Sequence, residues 1–268
     1  MKFPRWIGAR LWSQGRKGDS HDDVYQVLQQ AHAHLLLEEY DKARTLLLRV
    51  IGFRDSINDP ETISYVLMSV GSTWLLTERY EDGVAFFSEY LRRYPEDSAA
   101  YRGRADALWY VGRFQEAIRD YTRALELKPN DILSLSGRGQ VLAELGENRQ
   151  AMEDLNSALL TLKAVPMPNS SWAKWYEEIE AFVHNGRGFA LAGLGESEPA
   201  FSEFELSISL SPDNAWVYHN RAQVYDRAGS REKATLDYEK ALTKTKPPLN
   251  PVRKEHAHAR VRELSNRQ

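Results

Sequence analysis

From Ser98 to Asp131 apolar residues recur at three- and four-residue intervals, in two runs that meet at Gly112-Arg113. Tyr101, Ala105, Leu108 and Val111 make one stripe; Ala117, Ile118, Tyr121, Ala124 and Leu125 make the other. That spacing puts each set on one face of an α-helix. Gly112 suits a helix end, and Pro129 stops the second run just after Leu127. The stretch predicts a helix–turn–helix whose small residues, Ala105 and Ala117, let the two helices approach closely.

The same pattern recurs over residues 24–57, 64–97, 98–131, 132–165, 181–214 and 215–248. Small residues recur at the two contact places: Ala31 and Ala43, Gly71 and Gly83, Gly139 and Ala151, Gly188 and Ala200, Ala222 and Ala234. Turn glycines stand at 146, 195 and 229, and stop prolines at 95, 212 and 247. The fourth segment has Lys163 where the proline would stand, so its second helix is expected to run long. Asp59-Pro60-Glu61 is a helix-start signal ahead of the second segment. Pro166 to Ser171 predicts a loop, with Ser171 capping a helix that starts at Trp172 and continues into the fifth segment. Trp172, Trp175, Tyr176 and Ile179 line one face of it, expected to pack near Leu159–Leu162. Asn250-Pro251 starts a last helix, about 250–264, which would cover the open side of the final pair.

A helical pair of this length, with small residues at its eighth and twentieth places and proline near its end, resembles the tetratricopeptide repeat. The resemblance covers nearly all of residues 24–264. It implies an all-α, right-handed superhelical solenoid of about six helical hairpins plus a C-terminal capping helix, occupying residues 21–268 behind an arm at 1–20. One departure stands out. The seventh place holds Arg104, Arg138, Arg187 and Arg221 in repeats three to six, and an acid follows each sixteen residues later: Asp120, Asp154, Glu203 and Asp237. The first two repeats have neither member. These two places face each other across a hairpin, so each arginine is expected to be spent on an ion pair inside its own repeat.

Composition narrows the remaining choices. With 42% hydrophobic and 11% aromatic residues the chain can build a large core, and with no cysteine it has no disulfide, thiolate metal site or cysteine nucleophile. The net charge is −3, yet residues 1–20 carry five Lys/Arg against one Asp, and residues 244–268 carry seven against two Glu. An acidic body with basic ends argues against a nucleic-acid groove along its length. No apolar run is long enough to span a membrane, and the N-terminus lacks the unbroken apolar core of a secretion signal, so a cytoplasmic location is expected.

Catalytic patterns are wanting. Gly186-Arg187-Gly188 and Gly193-Leu194-Gly195 superficially resemble a phosphate loop, but follow no strand and lack Gly-Lys-Ser/Thr. No His-Glu-x-x-His or Gly-x-Ser-x-Gly occurs, so neither enzyme, metal nor cofactor is expected. What remains is surface. The resemblance implies that the first helices line a concave groove for a protein or peptide ligand. Carried over residue by residue, the groove would hold Leu28 and His32, then Tyr65, Met68 and Ser72. Arg102, Asp106 and Trp109 follow, with Ser136 and Gln140 after them. Asn185 and Phe189 come next, and Trp216, His219 and Gln223 complete the set. Aromatics beside amides suit a peptide held by side-chain pockets and amide hydrogen bonds. Asn220 and Arg102 are isolated members of the carboxylate clamp known in chaperone-tail binders, never in its order. The expected function is a non-enzymatic scaffold or adaptor. The rivals are a membrane-peripheral assembly factor using the basic arm with Trp6 and Trp12, or a regulatory subunit of one enzyme.

Overall fold

The computed structural model describes residues 78–164, 170–244 and 249–266 without a break, together with scattered positions between Gln26 and Trp74. The arm at 1–20, the Asp59-Pro60-Glu61 signal and the prolines at 166, 168, 247 and 248 lie outside the described residues. Among the described residues the chain is helical, and it divides into two units, 1–127 and 128–268.

The first unit contains helices α1 (Tyr80–Arg93), α2 (Ser98–Tyr110) and α3 (Phe114–Leu127). Its core joins Ala31, Ala43, Leu67 and Trp74 to Phe86, Phe87, Tyr90 and Ala100. The second unit contains α4 (Ile132–Glu144), α5 (Asn148–Ala164), α6 (Ser170–Gly193), α7 (Ser197–Leu210), α8 (Ala215–Arg227), α9 (Arg231–Thr243) and α10 (Pro251–Ser265). Within it α4 packs on α5, α6 on α7 and α8 on α9, and the first helix α6 also meets the first helices α4 and α8. Helix α5 runs to 17 residues, as the missing proline predicts. Helix α6 is one helix of 24 residues that packs on α5; its Ile179 is buried, and Trp175 and Tyr176 are half-buried.

The hairpins share one turn chemistry. Gly112, Gly146, Gly195 and Gly229 all adopt left-handed φ between 73° and 85°. In each case the next amide donates to a carbonyl further back: Arg113 to Leu108, Glu147 to Leu142, Glu196 to Leu191 and Ser230 to Tyr225, at 2.9–3.0 Å. This closes the helix end on its otherwise unpaired carbonyls. The second repeat has no glycine there, and Glu78 takes the same conformation at φ 57°. The small residues do the expected work: a Cβ on Gly188 would sit 2.9 Å from the Phe204 ring and 3.0 Å from the Ala200 carbonyl.

The arginines pair as their spacing predicts. Arg104 holds Asp120 at 2.6 and 2.8 Å, Arg138 holds Asp154 at 2.7 and 2.8 Å, and Arg221 holds Asp237 at 2.6 and 3.0 Å. Arg187 reaches Glu203 through one nitrogen at 3.0 Å, because His184 takes the other carboxylate oxygen at 2.6 Å. Two of these arginines also reach the preceding hairpin, Arg104 to Ser88 and Arg221 to Glu205, which ties one repeat to the next.

Candidate partner-binding surface

The positions expected to line a groove fall on the first helices α2, α4, α6 and α8. Leu28, His32, Tyr65, Met68 and Ser72 lie outside the described residues. Of the rest, Arg102, Trp109, Ser136, Gln140, Asn185, Phe189, Trp216 and His219 are each 7% exposed or less. Their burial has local causes. Ser136 turns its hydroxyl back onto the Ile132 carbonyl at 2.8 Å, as a serine inside a helix does. Phe189 lies beneath the Arg227 guanidinium, 5.5 Å from the ring centre. In the first unit, Asp106 is half-buried and accepts the Tyr121 hydroxyl.

In the second unit the amides join consecutive first helices. Gln140 of α4 donates to the Phe182 carbonyl of α6 at 2.8 Å, and Asn220 of α8 donates to Asn185 of α6 at 3.1 Å. The phosphate-loop look of 186–195 dissolves on the same geometry. Gly186 makes room for Gln140 and Gly193 for Asn148, while Gly195 supplies the turn.

Helix α10 completes this wall through contacts that no periodic pattern signals. Asn250 caps it by accepting the Arg253 amide at 2.9 Å, with Pro251 in the first turn. From there the Arg253 side chain crosses α8. Its guanidinium lies over the Trp216 ring at 4.2 Å and donates to Asn220 Oδ1 at 3.3 Å and His219 Nδ1 at 3.2 Å. It ends on the Glu144 carboxylate at the close of α4, 109 residues away in sequence. Two turns further on, Arg260 forms a two-pronged pair with Asp226 of α8 at 2.7 and 2.8 Å.

Between the two arginines a pair of histidines meets. A guanidinium can only donate, so His219 Nδ1 must be a bare acceptor; the Gln223 amide approaches the same nitrogen at 3.0 Å. His219 therefore carries its proton on Nε2, which donates to His256 Nδ1 at 3.2 Å. Burial, then the charge of Arg253, hold His219 well below the usual histidine range. His256 is lowered in the same way, by burial and then by Arg260 and Arg253. Among the described residues no cluster of three His, Asp or Glu could hold a metal, and no helix is long and apolar enough to cross a membrane.

Family models match residues 98–131 and 217–243, both as tetratricopeptide repeats. The chain carries tetratricopeptide repeats. Solved structures agree on the fold. The chain is similar to a tetratricopeptide repeat protein from Parabacteroides merdae, at 15% identity and a TM-score of 0.50, over 91% of this chain and 99% of that one. It is also similar to TTC0263, a thermophilic tetratricopeptide-repeat protein of Thermus thermophilus, at 19% identity and 0.51, over 74% and 98%. Against the APC/C hetero-tetramer Cut9–Hcn1 the identity is 14% and the TM-score 0.62; 97% of this chain spans 45% of that one. No curated protein matches the sequence. Tetratricopeptide repeats are protein-interaction modules, generally without catalysis, and this chain is a protein-interaction scaffold of that kind.

Proposed function

We propose that this tetratricopeptide-repeat chain is a non-enzymatic adaptor that holds a segment of another protein against the first-helix face of its second unit. One observation carries the reading. Helix α10 packs on α9 and already sends side chains to that face: Arg253 to Glu144, Asn220 and Trp216, and Arg260 to Asp226. A surface built from an aromatic ring, amides and carboxylates suits a peptide carrying cationic and polar side chains.

Peptides selected from a display library against the full chain test it. Gln223→Arg, on the half-buried inner edge of α8, should weaken the selected peptides at least tenfold. Leu236→Arg, on the exposed side of α9, should leave them unchanged. Loss with Leu236→Arg alone would move binding to the second-helix face and overturn the reading.

A further inference from the structure

Arginine side chains are usually held by a carboxylate or stacked on a ring. Arg253 has both, plus an amide oxygen and an imidazole nitrogen, and its side chain is only 11% exposed. Each contact suits a planar cation with several donors better than an ammonium. We infer that the first-helix face of the second unit is an arginine-recognition site, occupied in cis by α10, and that its ligand in trans is a partner helix carrying two arginines seven residues apart. This rests on the proposed adaptor reading and specifies its ligand.

The spacing follows from the acceptors. Glu144 and Asp226 receive Arg253 and Arg260, which lie two turns apart on one face of α10. His256 sits between them, one turn from each, against His219. A ligand helix therefore presents arginine, a small or polar residue three places on, and a second arginine seven places on.

Two features make the cis occupant exchangeable. First, α10 packs on α9 with little apolar hold: only Ala257 and Leu264 are buried along it, with Leu249 just before it. Helix α8 by contrast buries nine residues. Second, the seated guanidinium imposes a cost on its neighbours. Arg253 requires Asn220 to present its oxygen, so Asn220 must donate through Nδ2 to Asn185 Oδ1. Asn185 Nδ2, fully buried, is then left without an acceptor. Once Arg253 leaves, the Asn220 and Asn185 amides can both turn over, so that Asn185 Nδ2 donates to Asn220 Oδ1. An unpaired buried donor weakens the state that strands it. The tether offsets this weakness, since a short linker supplies an effective concentration of about millimolar. Helix α10 thus competes with any ligand for the site, and a partner must outmatch it.

The test uses the full chain and a fluorescein-labelled peptide copying residues 249–266, followed by anisotropy. Arg253→Ala with Arg260→Ala removes the cis side chains and should bind the peptide at least tenfold more tightly than the unaltered chain. Adding Glu144→Gln and Asp226→Asn should abolish that binding, and a peptide with lysine at both arginine places should bind at least tenfold more weakly. No binding by the folded double variant, or equal binding of the lysine peptide, overturns the proposal. If the double variant does not fold, amide exchange in the unaltered chain decides. Helix α10 should exchange at least tenfold faster than α8; equal protection would mean that α10 does not leave, and would overturn the proposal. A display-selected peptide that needs Gln223 but not its arginines would sink this inference and leave the adaptor reading standing.

Discussion

Removing Asp237 should be the most damaging change to any of the four hairpin ion pairs. Arg221 and Asp237 have side chains 9% and 3% exposed, whereas Arg138 and Asp154 are 23% and 11% exposed with similar two-pronged geometry. Burial is the difference, so burial should set the ranking. Asp237→Ala strands a buried guanidinium, which costs about 3–5 kcal/mol when a buried pair is broken. Glu205 remains as a second partner for Arg221, which places the loss toward the lower end. Asp154→Ala should cost about 1–3 kcal/mol, nearer a charged hydrogen bond lost at a wetter site. In urea unfolding followed by tryptophan fluorescence, a slope of about 2–3 kcal/mol per molar turns the larger loss into a midpoint shift of about 1–2 M. A double-mutant cycle with Arg221→Ala should give a coupling of about 1–3 kcal/mol. Equal costs at the two sites, or strict additivity in the cycle, would refute the argument that these arginines are consumed inside their hairpins.

Other outcomes follow from single features. Glu78→Gly should stabilise the first unit by about 0.5–1 kcal/mol, measured by thermal melting, because glycine relieves the left-handed φ of 57° at the one described turn that lacks it. Gly139→Ala should destabilise by about 1–3 kcal/mol, since its Cβ would lie 2.7 Å from Leu155 Cγ and 3.2 Å from the Ala151 carbonyl. Acid should loosen α10. His219 and His256 are both lowered in the folded state, so the unfolded or undocked chain binds more protons, and stability falls as pH drops through about 6.5. The charged groups around the pair are Arg253, Arg260 and Glu263 of α10 and Asp226 of α8; the two acids oppose the effect only at His256. Melting scans from about pH 8 to pH 5, spanning the ordinary histidine range, should show this slope, and His219→Gln should flatten it.

Much of the fold was legible because tetratricopeptide hairpins are specified locally. Small residues at the contact places, glycine at the turn and an acid sixteen residues after each arginine act within one 34-residue repeat, where a reader of sequence can see them. The candidate site was legible only in position. Gln140, Asn185 and Trp216 fall on the first helices as expected, but their partners come from neighbouring repeats and from α10, so burial could not be read from one repeat alone. Arg253 was hidden for the same reason: it meets Glu144 across 109 residues, outside any periodicity. The histidine pair was hidden too, 37 residues apart and so out of step with the repeat. Asn185 and Asn220, 35 apart and each on a first helix, were the nearest thing to a signal of the polar line.

The central claim is that a partner segment meets the first-helix face of the second unit. Site-specific photo-crosslinking tests it most directly. A photoreactive residue placed at Gln223 on α8, or at Leu236 on α9, would be irradiated in the full chain with a display-selected peptide. Binding to the first-helix face predicts peptide adducts from position 223 and none from position 236. Adducts from position 236 alone would contradict it and place the partner on the second-helix face.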